Sequence, residues 1–191
     1  YTPPSGMPEW IEFVNNSVDT IPISGWRVSD AGTTKATIAP VNRTVRPHSF
    51  FVVTTDTTAF KNFYTVTAPL FQAPFSALNN SGDAVVLFDQ TNNVIDSLTF
   101  ASSWGGTGGR SLEKIDSVFF STVQSNWTTS QHPSGATPGR INSVTQKTFD
   151  GSINRISVSP SFPTAGDQLT ISTTVKNRGK QNLSSVLFQL F

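Results

Sequence analysis

The chain has 191 residues, no cysteine and a formal net charge of +1. Serine and threonine together number 49, whereas charged residues make up 13% of the chain, about half of the usual share. This composition leaves no basic excess to neutralise a nucleic-acid backbone, excludes disulfides and thiolate metal sites, and favours β-sheet over charged amphipathic helices. The longest unbroken apolar run, residues 84–88, is far shorter than the ~20 residues that cross a bilayer, so we expect no membrane association.

Short apolar segments of strand length recur from the start of the chain. They predict strands at residues 10–14, 23–28, 49–54, 84–88, 94–100 and 110–115. Clusters of Asn, Asp and Gly between them are typical of turns, and the five-residue loop 89–93 predicts a hairpin. A single short helix is predicted at 57–64, with Asp56 as its N-cap. Many short strands without alternating helices predict an all-β fold, an antiparallel β-sandwich.

A change in composition after Trp127 predicts the end of a first domain. Residues 128–142 contain two prolines and two glycines and no apolar run, which predicts a first domain at 1–142 and a linker at 143–153. Further strands are predicted at residues 155–159, 167–176 and 185–191. Three strands are too few to close a sandwich, so we expect residues 154–191 to be the N-terminal part of an incomplete second domain. Its apolar surface then needs missing strands or a neighbouring molecule as cover, which allows self-association.

The order of motifs in residues 9–142 resembles the lamin-tail domain family. The motifs are Glu-Trp-Ile-Glu at 9–12, Ile-Ser-Gly-Trp at 23–26, Leu-Asn-Asn-Ser-Gly-Asp at 78–83, Gly-Arg-Ser-Leu-Glu-Lys at 109–114 and Ala-Thr-Pro-Gly-Arg-Ile-Asn at 136–142. One departure is Pro47-His48, where a glycine is usual in the family. The resemblance implies an immunoglobulin-like β-sandwich.

Residues 156–179 resemble the first half of a bacterial cell-adhesion-related immunoglobulin-like domain. In bacteria, domains of both kinds are usually non-catalytic modules of secreted or surface proteins, including nucleases and other hydrolases. The two resemblances together imply a structural, adhesion or binding module of a larger bacterial protein that is extracellular or on the cell surface. Its partners would be the neighbouring domains and a surface glycan or protein, and no cofactor is implied.

The reactive side chains are too dispersed to form a catalytic centre. Five of the twelve acids stand at predicted turns or strand ends, where hydrogen bonds to the backbone account for them: Asp30, Asp56, Asp83, Asp89 and Asp116. The two histidines, His48 and His132, belong to no hydrolase or zinc motif, and loop 89–93 is only a fragment of a calcium loop. The glycine run 105–109 is followed by Arg110 and a strand, whereas a phosphate loop requires Lys and a helix. We therefore predict no enzymatic activity and no metal site.

Glu12 is an exception to this placement of acids at turns, because it lies inside a predicted strand. It shares a strand face with the apolar residues Trp10 and Val14, opposite Ile11 and Phe13, and its side chain is expected to be partly buried. Because an unpaired buried carboxylate is costly, we predict an ion pair with Arg110 or with Arg27.

Trp104 is the tryptophan that we expect to be exposed, because serines and the glycine run flank it. Together with Arg110 it predicts a ligand-contact loop, whereas the other three tryptophans should pack in the core. Two alternative functions stay open. A carbohydrate-binding module needs exposed coplanar aromatic rings. A nucleic-acid-binding accessory domain of a secreted nuclease, which the charge balance disfavours, needs arginines gathered on one face: Arg27, Arg43, Arg46, Arg110 and Arg140.

Overall fold

β-Strands make up nearly all of the regular structure in the computed structural model, which describes residues 3–39 and 41–187. The chain divides into two compact units, Tyr1–Thr145 and Gln146–Phe191. None of the helices found in the described residues has the length and apolar character needed to span a membrane. The predicted all-β class is confirmed.

The first unit is built from short strands and one α-helix. In chain order these are β1 (Trp10–Val14), β2 (Ile21–Pro22), β3 (Arg27–Ser29), β4 (Ala36–Thr37), β5 (Thr44–Val45), β6 (Phe50–Thr54), α1 (Thr57–Lys61), β7 (Leu70–Gln72), β8 (Gly82–Phe88), β9 (Val94–Ala101), β10 (Leu112–Lys114) and β11 (Trp127–Thr129).

Two sheets form the sandwich of the first unit. One has the strand order β1-β6-β7 and the other β4-β3-β8-β9, so β1 and β9 are edge strands. All pairs are antiparallel except β6 with β7. Apolar residues of the central strands point inward and form the core between the sheets. Its members include Ile23, Val28, Phe51, Val53, Val85 and Leu87.

The predicted hairpin of β8 and β9 is confirmed, and Asp89 explains its turn. One carboxylate oxygen of Asp89 accepts hydrogen bonds from the Thr91 amide at 2.7 Å, the Thr91 hydroxyl at 2.8 Å and the Asn93 amide at 2.9 Å. These bonds, from the Thr91 hydroxyl first and then from Asn93, lower the pKa of Asp89 to about 2. Asp89 thus stabilises the turn between β8 and β9.

The predicted strand at 23–28 was wrong in its first half. Gly25 adopts a φ of 74°, and the Trp26 amide donates to the Ile23 carbonyl at 3.1 Å, so this segment is a turn. Only its end belongs to β3. The predicted helix is present with the expected N-cap, because Asp56 accepts from the amides of Thr58 and Ala59, but it stops at Lys61 rather than at residue 64.

The second unit contains one antiparallel hairpin, formed by β12 (Gly151–Ser159) and β13 (Thr170–Asn177). Apolar cross-strand pairs such as Val158 with Ile171 are exposed on one of its faces. The third predicted strand, 185–191, is absent from its described residues, 185–187, and the rest of it lies outside the described part of the chain. The immunoglobulin-like identity of this unit and its self-association stay predictions.

Candidate functional site at the free edge of the first strand

A cavity of about 700 Å³ runs along β1, and all five residues of that strand line it. Ile11 and Phe13 pack against the core between the sheets, whereas Glu12 points to the opposite face. A cavity that touches both faces of one strand must lie at an edge of that strand. Because β6 occupies the other edge, the cavity lies at the free edge of β1.

The backbone hydrogen bonds of β1 alternate in direction. The Asn15 amide donates to the Ser49 carbonyl at 2.9 Å, and the Thr55 amide donates to the Glu9 carbonyl at 3.3 Å. In this antiparallel register the odd-numbered residues of β1 therefore direct their backbone N–H and C=O groups towards β6.

The even-numbered residues of β1 direct their backbone N–H and C=O groups towards the cavity. These residues are Trp10, Glu12 and Val14. Within the described ranges, none of these six backbone groups has a hydrogen-bond partner in the protein. An edge strand with free donors and acceptors is a template for a further strand.

Glu12 is accommodated in the cavity wall as a neutral acid. Burial raises the pKa of Glu12 to about 8; a hydrogen bond from the Gly139 amide opposes the shift, and the neighbouring carboxylate of Glu113 adds to it. At neutral pH, Glu12 is therefore mostly protonated and can donate a hydrogen bond.

The described residues show no ion pair between Glu12 and either arginine named in the prediction. The guanidinium of Arg110 donates to the His132 carbonyl at 2.9 Å, and that of Arg27 donates to the Asn92 side chain at 2.8 Å. Both arginines are therefore engaged elsewhere. Protonation, rather than a cation, removes the cost of burying Glu12.

The raised pKa of Glu12 predicts that stability falls as pH rises. Between about pH 4.5 and 8, the folded chain holds a proton on Glu12 that the unfolded chain has lost. The free energy of unfolding should then decrease by up to about 1.4 kcal/mol per pH unit. Urea unfolding at pH 5, 6.5 and 8 measures the slope. We expect Glu12→Gln, which cannot ionise, to flatten it and to be the more stable protein at pH 8; parallel slopes would contradict the assignment.

Glu113 is a buried hydrogen-bond centre behind Glu12. It is 3% exposed. One oxygen accepts from the hydroxyls of Thr137 at 2.7 Å and Ser111 at 3.3 Å, and the other accepts from the amide and hydroxyl of Ser143 at 2.9 and 2.6 Å. These bonds fasten segment 137–143 to β10. Our sequence reasoning did not single out Glu113, although an acid inside the strand motif 109–114 was a usable signal.

Exposed apolar side chains flank the cavity on one side. We call them the apolar rim: Ile95, Val118, Phe119 and Phe120. Val118 and Phe120 are 79% and 72% exposed. Ile95 belongs to β9, and the loop that carries the other three residues is held to β9, because the Ser121 hydroxyl donates to Asp96 at 2.7 Å. Ile95, Asp96 and Ser121 also line the cavity, so the rim adjoins it.

The predicted contact loop does not present an exposed tryptophan. Trp104 lies in a single 3-10 turn, Ser102–Trp104, and is half-buried. Trp10, Trp26 and Trp127 are half-buried as well. Trp26 packs against the core, and the indole N–H of Trp127 donates to the Ser121 carbonyl at 2.8 Å. The Trp10 indole N–H is buried without a partner in the described chain.

Arg110 and Arg140 both contact His132. Arg110 bonds to its backbone carbonyl, and Arg140 lies 3.3 Å from its Nε2 atom. Arg27 instead contacts Asn92 in the loop between β8 and β9. Hydrogen bonds thus connect two of the five arginines that a nucleic-acid surface would need. No group of three or more His, Asp or Glu residues suited to a metal ion occurs among the residues described.

The family model described as Lamin Tail Domain matches residues 1–102, which is more than half of the chain. The chain belongs to the lamin tail domain family. This confirms the lamin-tail resemblance for that range, whereas nothing shows the cell-adhesion-related resemblance of residues 156–179. No curated protein and no solved structure matches. Lamin tail domains are non-catalytic, immunoglobulin-like domains, which is consistent with a structural or binding role for this member.

Proposed function

We propose that this lamin tail domain is a non-catalytic module by which a larger, secreted or cell-surface bacterial protein adheres to a protein partner. The apolar rim is the observation that carries the proposal. Contiguous exposed apolar residues mark protein interfaces, and aromatic side chains are enriched at such interfaces. The rim also has a defined place on the molecule, since Ser121 is bonded both to Asp96 and to the indole of Trp127.

The use of the acidic residues supports a non-catalytic role. Glu113 is occupied by four hydrogen bonds. Asp83 accepts hydrogen bonds from the amides of Ala31, Asn79 and Ala84. Burial raises the pKa of Asp83, but these bonds outweigh burial and lower it. A general acid or base needs a proton that it can exchange with a substrate, whereas these acids hold the fold together.

A protein partner is better supported than a glycan or a nucleic acid. Sugar rings stack on coplanar exposed aromatics, but the Phe119 and Phe120 rings are inclined by 59° to each other. A nucleic-acid backbone requires a basic face, but the net charge is +1, and Arg27 is bonded to Asn92 whereas Arg110 and Arg140 are bonded to His132.

The double variant Phe119→Ser/Phe120→Ser tests this function. We expect peptides selected on the wild-type chain from a random display library to bind the double variant at least about tenfold more weakly, because central aromatic residues dominate interface energies. Phe162→Ser is the matched control, since Phe162 is 93% exposed and belongs to the second unit. A glycan array and a duplex-DNA titration are run in parallel. Undiminished peptide binding by the double variant, or strong glycan or DNA binding in place of peptide binding, would contradict the proposal.

A further inference from the structure

We propose that the free edge of β1 docks an extended, uncharged, apolar segment of a partner protein, which adds a strand to the sheet inside the cavity. The inference rests on the proposed function and names the site where the partner is held. In this arrangement the apolar rim contacts the partner outside the cavity, and β1 pairs with its backbone.

The first argument is the set of unpaired backbone groups. Trp10, Glu12 and Val14 each direct one N–H and one C=O towards the cavity, and none has a partner in the described chain. Groups of this kind in a strand repeat every second residue, which is the spacing that another strand presents. Addition of a strand to an exposed sheet edge is a common mode of peptide recognition.

The second argument is the size of the cavity. A strand in a sandwich occupies about 4.8 Å along the sheet, about 10 Å between sheets and about 3.4 Å of length per residue. Four or five residues therefore need about 650 to 800 Å³ on these spacings. The cavity of about 700 Å³ matches one such segment, and its five lining residues on β1 match the same length.

The third argument is the chemistry of the walls. The core side is apolar and is lined by Ile11, Phe13, Leu87, Leu98 and Phe100. On the other side Glu12 is mostly neutral and Glu113 is fully bonded. The two other charged residues of the lining, Asp96 and Lys114, have opposite charges and are both bonded to the Ser121 hydroxyl. A charged side chain would lose its hydration there and would meet charges that already balance each other, which selects an uncharged segment.

A lipid chain would also fit apolar walls, but it would leave the six backbone groups of β1 without partners. A peptide can contact the apolar walls with its side chains and form hydrogen bonds to these groups with its backbone. The ladder of backbone groups therefore favours a peptide over a lipid.

The experiment uses the peptide acetyl-Thr-Val-Thr-Val-Thr-amide and the full chain, with binding followed by isothermal titration calorimetry. Val14→Pro removes an N–H that faces the cavity but leaves the β1–β6 hydrogen bonds intact, since Val14 does not contribute to that ladder. Val14→Ala keeps the N–H and is the matched control. We expect Val14→Pro to bind the peptide about tenfold more weakly and Val14→Ala to stay within about twofold of wild type. Thermal unfolding verifies that both variants fold.

A second set of probes leaves the protein unchanged. N-methylation of the peptide at its first, third and fifth residues blocks one backbone edge, and methylation at the second and fourth blocks the other. We expect one set to abolish binding and the other to preserve it, because a strand pairs through one edge. Equal effects of both sets, an absence of peptide binding, or displacement of the peptide by hexadecan-1-ol would overturn the inference. If Val14→Pro has no effect while the double rim variant still loses its selected peptides, the proposed function stands and the β1 site does not.

Discussion

Replacing Glu113 with alanine is expected to lower the free energy of unfolding of the first unit by about 3 to 5 kcal/mol. The substitution leaves the hydroxyls of Ser111 and Thr137 and the amide of Ser143 without their acceptor. Ser111 and Thr137 are buried, so water does not readily replace the carboxylate. Segment 137–143 then keeps the hydrogen bond from Asn142 to the Lys114 carbonyl but loses its bonds to Glu113, so Gly139, whose amide is bonded to Glu12, should be held less firmly.

Glu113→Gln is the matched control, because it keeps the size of the side chain and one carbonyl oxygen. We expect about half of the alanine effect, since the amide nitrogen cannot accept from Ser143. Urea denaturation followed by tryptophan fluorescence measures both variants. A loss below about 1 kcal/mol for alanine would show that the four hydrogen bonds do not hold this segment.

Phe60→Ala is expected to cost about 3 to 5 kcal/mol of unfolding free energy, because truncation of a buried phenylalanine leaves a cavity. Phe60 is fully buried, and its ring centroid lies 5.8 Å from that of Trp10 and 5.4 Å from that of Tyr64. It therefore attaches α1 to the start of β1. Phe63, which is 40% exposed and lies just beyond the same helix, is the control.

We expect Phe63→Ala to cost less than about 1 kcal/mol. Denaturant titrations of the two variants at one pH provide the comparison. Equal losses at both positions would mean that α1 is not held by Phe60, and the position of Trp10 on the free edge of β1 would then need revision.

The local pattern of apolar residues was sufficient to predict those strands in which burial alternates along the strand or is continuous. Residues 10–14, 50–54 and 82–101 could be assigned from sequence because β-rich apolar runs are bounded there by Asn, Asp and Gly turns. It failed at residues 23–26, where a run of β-forming residues contains Gly25 with a positive φ and turns instead. The conformation of one glycine is not visible in the hydrophobic pattern.

The candidate site depends on contacts that no local pattern contains. The amide bonded to Glu12 belongs to Gly139, 127 positions away. The sequence indicated that Glu12 would be buried, and the cost of burial suggested a cation; the structure instead meets that cost by protonation. That β1 lies at a sheet edge follows from the order of strands, which the alternation of residues within one strand cannot reveal.

Amide hydrogen exchange along β1, measured residue by residue by NMR with and without the five-residue peptide, tests the central claim most directly. In the free chain, we expect slow exchange at Ile11 and Phe13, whose amides bond to β6, and fast exchange at Glu12 and Val14. The peptide should slow exchange at Glu12 and Val14 and leave Ile11 and Phe13 unchanged. Uniform protection of β1 in the free chain, or no gain of protection with saturating peptide, would contradict a free and receptive edge.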